Sequence, residues 1–290
     1  LTVDRLITSR RHTLYAVGGA TLLLAGVPGR AQAQTVLDKL REQGVIRVGF
    51  ANEAPYAFTD ASGGLTGESP AVFRHVMQKL GIGRVDGVLA EWGALIPGLR
   101  AGRFDAIVAS MYITPARCKQ VIFANPTYGV GEALVVKQGN PEGLQTYADA
   151  AKAGAKIAFV AGTAEIEHAR LAGMQREQQV VVPDFAAAVA NVKAGRTAAA
   201  AFTALTAQQL ASKDEALERA TPFTFEHAGK RYRGEGAFAF RPEDTALRDA
   251  VNAELARFIG TPDHLALVKP FGFDDSNLPE QTAAQHCAAD

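Results

Sequence analysis

The chain has 290 residues, 48% of them hydrophobic and 21% charged, with thirty basic residues balanced by thirty acidic ones. That apolar content supplies one large core or two smaller ones and excludes a disordered chain, while the charge balance excludes the basic face of a nucleic-acid binder. Two cysteines exclude a disulfide-dense scaffold and a cysteine-rich zinc module.

The first 33 residues read as an export signal. Arg10 and Arg11 precede an apolar stretch at 16–27, too short for a comfortable bilayer span. Ala31-Gln32-Ala33 then places small residues at the two positions that signal peptidase reads. The run Ser9-Arg10-Arg11-His12-Thr13-Leu14 has a twin-arginine look, although a plain secretory signal shares this layout. Cleavage near Ala33 would remove four arginines and one aspartate, leaving 257 residues of net charge −3. No second apolar segment approaches the ~20 residues that cross a membrane. The expectation is a soluble, exported, periplasmic protein. In an oxidising compartment Cys118 and Cys287 could close as a disulfide or remain two thiols.

Beyond residue 33, strand and helix patterns alternate. Residues 45–51 form a buried-strand pattern, and 70–80 an amphipathic helix with Val72, Phe73, Val76, Met77 and Leu80 inward. A strand at 85–90, a helix at 94–101 stopped at Gly102 and a strand at 106–110 follow. The pattern restarts with strands at 156–161, 180–183 and 198–202, and helices at 164–172, 185–194 and 204–211. Leu99-Arg100-Ala101-Gly102-Arg103 and Val192-Lys193-Ala194-Gly195-Arg196 echo one another, which a shared helix, glycine cap and strand explains without duplication. The strand-like stretch at 129–136 and the segment GEGAFAF from Gly234 are candidate crossings between two lobes. Helices at 245–259 and 261–268 close the chain. The expected fold is α/β: an open mixed sheet flanked by helices in each of two lobes, joined by two hinge crossings. The expected division is a signal at 1–33, lobe 1 from 34–130 and 234–290, and lobe 2 from 131–233.

The runs VIRVGFANEAPYAF, GLTGESPAVFRHVMQKLG, LIPGLRAGRFDAIVASMYITPARCKQVIFANPTY and EALVVKQGNP together resemble the bacterial extracellular solute-binding proteins of family 3. The resemblance spans nearly all of the chain beyond the signal. ANEAPYAF, IPGLRAGRFDAI, ITPARCKQV and GTPDHLALVKPFGF are closer still to the members that bind ectoine and hydroxyectoine, and the Cys118–Cys287 pair matches that subgroup. The resemblance implies a type II periplasmic receptor, acting as a monomer, that closes on one small zwitterionic solute. It would deliver the solute to the membrane permease of an ABC importer, with no cofactor and no nucleic acid.

Ectoine is a ring carrying a delocalised amidinium and one carboxylate. A site for it needs a carboxylate clamp, a counter-charge and flat apolar walls. Arg117, in the loop after the strand AIVAS, can grip a carboxylate through two parallel hydrogen bonds, and the resemblance gives it that role. Tyr56, Trp92 and Tyr112 recur at strand ends, where aromatic residues are more often core than ligand box; the resemblance implies that they enclose the cation and that Glu53, otherwise a solvated loop charge, pairs with it. From the second lobe, Gly162-Thr163-Ala164-Glu165 opens a helix whose amides could receive the carboxylate, unless Thr163 is an ordinary cap. Receptors for ordinary amino acids in this family carry an aspartate near position 203. Here that position is Thr203, which argues for a delocalised or alkylated cation, such as that of ectoine or proline betaine, over a primary amine.

His75, His168, His227, His264 and His286 lack metal-ligand spacing, so no metal is expected. No nucleophile elbow, P-loop or dinucleotide fingerprint stands at a strand-to-helix turn. The chain therefore reads as a binding protein and not an enzyme. The alternative class is a periplasmic lyase, for which Glu53 is the one acid–base candidate.

Overall fold

A computed structural model describes residues 35–227 and 229–288. The export-signal reading falls on residues 1–33 and lies outside the described residues. The first described helix is α1 (Val36–Gln43), capped by Thr35 and Asp38 in a reciprocal box, and it leads into β1 (Val45–Phe50). A small hairpin, β2 (Phe58–Thr59) with β3 (Leu65–Thr66), precedes α2 (Glu68–Lys79). Then come β4 (Arg84–Leu89), α3 (Leu95–Arg100), β5 (Ala106–Tyr112), α4 (Pro115–Cys118), β6 (Ile122–Phe123) and β7 (Tyr128–Val130). The chain goes on through β8 (Glu132–Lys137), α5 (Tyr147–Ala153), β9 (Ile157–Val160), α6 (Glu165–Leu171), β10 (Gln179–Val182) and α7 (Phe185–Lys193). Next are β11 (Ala199–Thr203), α8 (Ala204–Lys213), β12 (Leu217–Arg219) and a second hairpin, β13 (Glu226–His227) with β14 (Lys230–Arg231). It closes with β15 (Gly234–Phe240), α9 (Thr245–Phe258), α10 (Pro262–Val268) and α11 (Ala283–Ala288).

The strands form two mixed sheets. The first runs β4-β1-β5-β15-β6, with β7 also paired to β15; β4, β1 and β5 are parallel and β15 is antiparallel to its neighbours. The second runs β10-β9-β11-β8-β12, where β10, β9 and β11 are parallel and β8 is antiparallel to β11 and β12. All seven residues of β5 and all seven of β15 are buried, as their near-continuous apolar sequences require of strands covered on both faces. The five residues expected on the inner face of α2 are buried, and this helix packs with α9 and α10 over the first sheet.

The stretch at 129–136 does not form one strand. It breaks at Gly131, because β7 pairs with β15 in the first sheet while β8 pairs with β11 in the second. The chain passes between the sheets there and returns through residues 232–233 into β15. α2 starts two residues before the expected position, since the Glu68 and Ser69 amides donate to the carbonyls of Pro55 and Tyr56. That contact docks the start of the helix onto the loop after β1. No helix among the described residues is long and apolar enough to cross a membrane.

Candidate functional site

Parallel strands direct their C-terminal ends the same way, and in an open α/β sheet ligands gather at those ends. Here both sheets turn these ends toward one small cavity between them. From the first sheet come Glu53 and Tyr56 after β1, Trp92 after β4, Tyr112 at the end of β5, and Arg117 beyond it; from the second come Thr163 and Glu165 after β9. All seven expected residues therefore line the same space. Phe185 after β10 and Thr203 at the end of β11 complete the pattern, with Ser110, Tyr128 and Phe202 filling the walls.

Each side chain is held by local structure. Glu53 and Ala57 exchange backbone hydrogen bonds in a small bridge that fixes the loop carrying Glu53 and Tyr56. Arg117 lies in the one-turn helix α4, which Thr114 caps through the Arg117 amide, so the expected loop is a strand extension and a helical turn. Its Nη1 donates to the Tyr112 carbonyl at 2.7 Å and its Nη2 to the Gly162 carbonyl at 2.9 Å, while the guanidinium carbon stands 5.7 Å from the Trp92 ring centroid. The Trp92 indole donates to the same Gly162 carbonyl at 3.2 Å. Across the cleft, the Thr206 hydroxyl lies 2.8 Å from Glu53 Oε1 and 3.1 Å from the Ala54 carbonyl. Gly162, Arg117, Trp92, Glu53 and Thr206 thus join the two sheets by direct hydrogen bonds, and the cleft is closed.

The aromatic wall is larger than the three residues expected. Tyr128 stacks at a tilt 5.0 Å from Tyr56, and Phe185 meets Trp92 edge-on at 6.2 Å. The glycines of β15 make room for it: a Cβ on Gly234 would fall 2.4 Å from the Tyr112 ring, and one on Gly236 would fall 2.2 Å from that of Tyr128. Tyr112 and Tyr128 are anchored by their hydroxyls on the carbonyls of Val130 and Ser110. Beneath the wall, the buried Glu68 accepts from Ser110 at 2.8 Å and from Thr127 at 3.0 Å. Tyr128 escapes the strand-end rule because it sits within β7. Phe185 obeys that rule but reads as the start of an apolar helix face.

Burial sets the electrostatics. It pushes Glu53 up to about 8, helped by the charge of Glu165 and opposed by Thr206 and Arg117. Burial also lifts Glu165 to about 7, with Glu132 adding to the rise. Arg117 is held below its ordinary value by burial, against which the Glu165 charge acts first. Behind Glu165, Glu132 accepts from the Tyr147 hydroxyl at 2.7 Å and bonds His168. Burial disfavours the charged imidazole, yet the Glu132 contact leaves His168 above its ordinary value. The Thr163 hydroxyl donates to the Val160 carbonyl at 2.9 Å, and the position capping α6 is Ala164, with no side-chain cap. The first turn of that helix carries Glu165 and Glu167, where the positive end of the helix dipole favours carboxylates.

Cys118, adjacent to Arg117, is joined to Cys287 with a Cα–Cα separation of 5.7 Å. His286, its neighbour on α11, bonds Glu235 of β15 at 2.8 Å.

The described geometry matches known proteins along most of its length. Residues 46–271 match the family model of bacterial extracellular solute-binding proteins, family 3. A "probable amino-acid ABC transporter periplasmic-binding protein" of Sinorhizobium fredii is 38% identical over 285 residues, 97% of this chain and 92% of that one. The lysine/arginine/ornithine-binding periplasmic protein of Escherichia coli is 26% identical over 85% of this chain and 94% of its own length. Among solved structures, EhuB in complex with hydroxyectoine superposes with a TM-score of 0.79 at 35% identity, covering 88% of this chain and 98% of the other. The chain belongs to family 3 of the bacterial extracellular solute-binding proteins, the two-lobe periplasmic receptors that hand small amino-acid-like solutes to ABC importers.

Proposed function

We propose that the protein captures ectoine or hydroxyectoine in the periplasm for an ABC importer, binding as a monomer without chemistry. The observation that carries this reading is the cavity's make-up: one buried guanidinium, buried carboxylates and a continuous aromatic wall, in one enclosed space between the lobes. Arg117 keeps unspent N–H donors beyond its two bonds to carbonyls, enough to grip a carboxylate. The rings of Tyr56, Trp92 and Tyr112 flank the delocalised cation, each contributing about 0.5–2 kcal/mol in a site without water. Glu53 supplies the counter-charge. The likeness to a hydroxyectoine-bound receptor supports the same cargo.

Capture works through closure. Lobe 1 (34–130 with 234–290) and lobe 2 (131–233) rotate about the crossings at Gly131 and 232–233, and the solute favours the closed form because it touches both lobes. An export signal at 1–33, removed near Ala33, delivers the chain to the compartment where the disulfide forms.

Titration calorimetry of ligand-free protein with ectoine, hydroxyectoine, proline betaine and a panel of α-amino acids tests the reading. Tight one-to-one heat from an ectoine, with silence from α-amino acids, is expected. Arg117→Ala should weaken that binding at least a hundredfold, about 2.8 kcal/mol. Binding of an α-amino acid alone would keep the receptor and overturn its cargo.

One observation favours a second reading. Glu53, held near neutrality in its pKa, has the protonation behaviour of a general acid or base, as a lyase acting on a small carboxylic acid would need. Product formation on prolonged incubation with a bound solute would establish that reading, and recovery of the solute unchanged would dismiss it.

A further inference from the structure

We propose that Thr206 is the latch of the closed form: a residue outside the solute cavity that ties the lobes through the loop after β1 and sets how slowly the solute leaves. This rests on capture by lobe closure and names the side chain that prolongs it.

Direct hydrogen bonds cross the cleft at Gly162 and at Thr206. At Gly162 the donors are Arg117 and Trp92, which also line the solute cavity, so that junction and the solute share side chains. Thr206 lies outside that lining and faces an outer groove of about 460 Å³ between the loop after β1 and the helices α7 and α8. Glu53 and Phe185 line both spaces. The contact of Glu53 with Thr206 therefore stands in the partition between the solute and the outside.

Local structure aims the Thr206 hydroxyl across the cleft. Within a helix a threonine hydroxyl commonly returns to a carbonyl of the preceding turn. Thr206 is the third residue of α8, and its hydroxyl turns instead to Glu53 Oε1 at 2.8 Å and the Ala54 carbonyl at 3.1 Å. Behind it, the Thr203 hydroxyl donates to the Thr206 oxygen at 3.1 Å while accepting from the Thr206 amide. With its oxygen engaged from its own lobe, Thr206 has its single hydroxyl proton left for the other lobe. The residue is 2% exposed, so this bond is made away from bulk water.

Two acceptors for one proton give the latch its response to the solute. Ala54 offers a neutral carbonyl whether or not the cleft is occupied. Glu53 offers a carboxyl that burial raises to about 8 in the ligand-free closed form. A cation in the cavity ionises Glu53, and the bond from Thr206 becomes charge-assisted, shorter and about twice as strong. A charge held by the first lobe thus strengthens a tie to the second. An empty cleft keeps only the weaker bond and reopens readily.

The test follows association and release of ectoine by stopped-flow fluorescence of Trp92, the only tryptophan, in wild type, Thr206→Val and Thr206→Ser. Valine keeps the shape and loses the hydroxyl, whereas serine keeps the hydroxyl and loses a methyl. Thr206→Val is expected to release ectoine at least tenfold faster with association changed by less than threefold, and Thr206→Ser to stay within threefold of wild type in both rates. Release from Thr206→Val at the wild-type rate, or equal acceleration in both variants, would overturn the inference. If ectoine gives wild type no heat in calorimetry, the cargo reading fails by itself; the three proteins are then compared with the panel solute that binds, and the same pattern is required. A measurement on wild type covers a valine variant that does not fold. In threonine-labelled protein the Thr206 hydroxyl proton should be resolved and slow to exchange in the solute complex, and lost to exchange without solute. Fast exchange in the complex would overturn the latch.

Discussion

Arg117 illustrates how a single residue combines several functions. Its guanidinium bonds a carbonyl of each lobe and lies against the only tryptophan. A lysine there would keep the charge and lose the fork. Glu53 is its counterpart, and its environment makes a prediction about pH. In the ligand-free closed protein its carboxyl titrates near 8, burial being the main cause, whereas in the unfolded chain it titrates near 4.5. Between those values the folded state holds a proton that the unfolded state has released, so this group's contribution to stability falls as pH rises through that window. Glu53→Gln mimics the protonated form and keeps its bond to Thr206. The melting temperature of the variant minus that of wild type should therefore grow from pH 5 to pH 8 in ligand-free protein. A difference that stays flat across this range would mean that Glu53 is hydrated in an open cleft.

At the scale of elements, the turn between β9 and α6 decides how closely the lobes approach. Gly162 has φ +80°, a conformation that favours glycine, and a Cβ there would lie 3.0 Å from the Gly93 Cα across the cleft. Its carbonyl also receives the Trp92 and Arg117 donors. Gly162→Ala should then raise the solute Kd at least tenfold while lowering the melting temperature by a few degrees. Gly154, at φ +70° with open space around it, is the control for backbone strain alone. Gly154→Ala should cost about 1 kcal/mol of stability and leave affinity unchanged. Equal losses of affinity in both variants would show that the cleft contact is immaterial.

At the scale of the molecule, the C-terminal segment is tied back to the site it does not line. The disulfide from α11 reaches Cys118 beside Arg117, and Glu235 of β15 accepts from His286 and from the amides of Glu280 and Gln281. The cross-link spans 169 residues, for which chain entropy gives about 5 kcal/mol. The double variant Cys118→Ala, Cys287→Ala should lose stability of that order in urea unfolding and bind solute more weakly, since α4 is then free to shift. Unchanged affinity would mean that Thr114 and the two carbonyls suffice to hold Arg117.

Much of this arrangement is legible in the sequence. The burial of Val72, Phe73, Val76 and Met77 on α2, and of Leu80 at its C-terminal cap, follows from helical spacing, and the left-handed Gly102 and Gly195 follow from the paired AGR segments. Those signals are local, so the sequence carries them. The residues after β1, β4, β5 and β9 stand where strand order places a ligand, and the resemblance to family 3 singles them out there. What local pattern cannot contain is pairing between distant segments. Gly131 splits an apparently continuous strand because its two halves find partners in different sheets. The short helices α4 and α11 lie beyond the reach of periodicity, since one or two turns depend on a cap, a disulfide and a neighbour for their stability. Composition, periodicity and motif determined the two-lobe fold and the residues at the strand ends; tertiary structure decided which acids share the cavity, because charge in a closed space depends on everything that closes it.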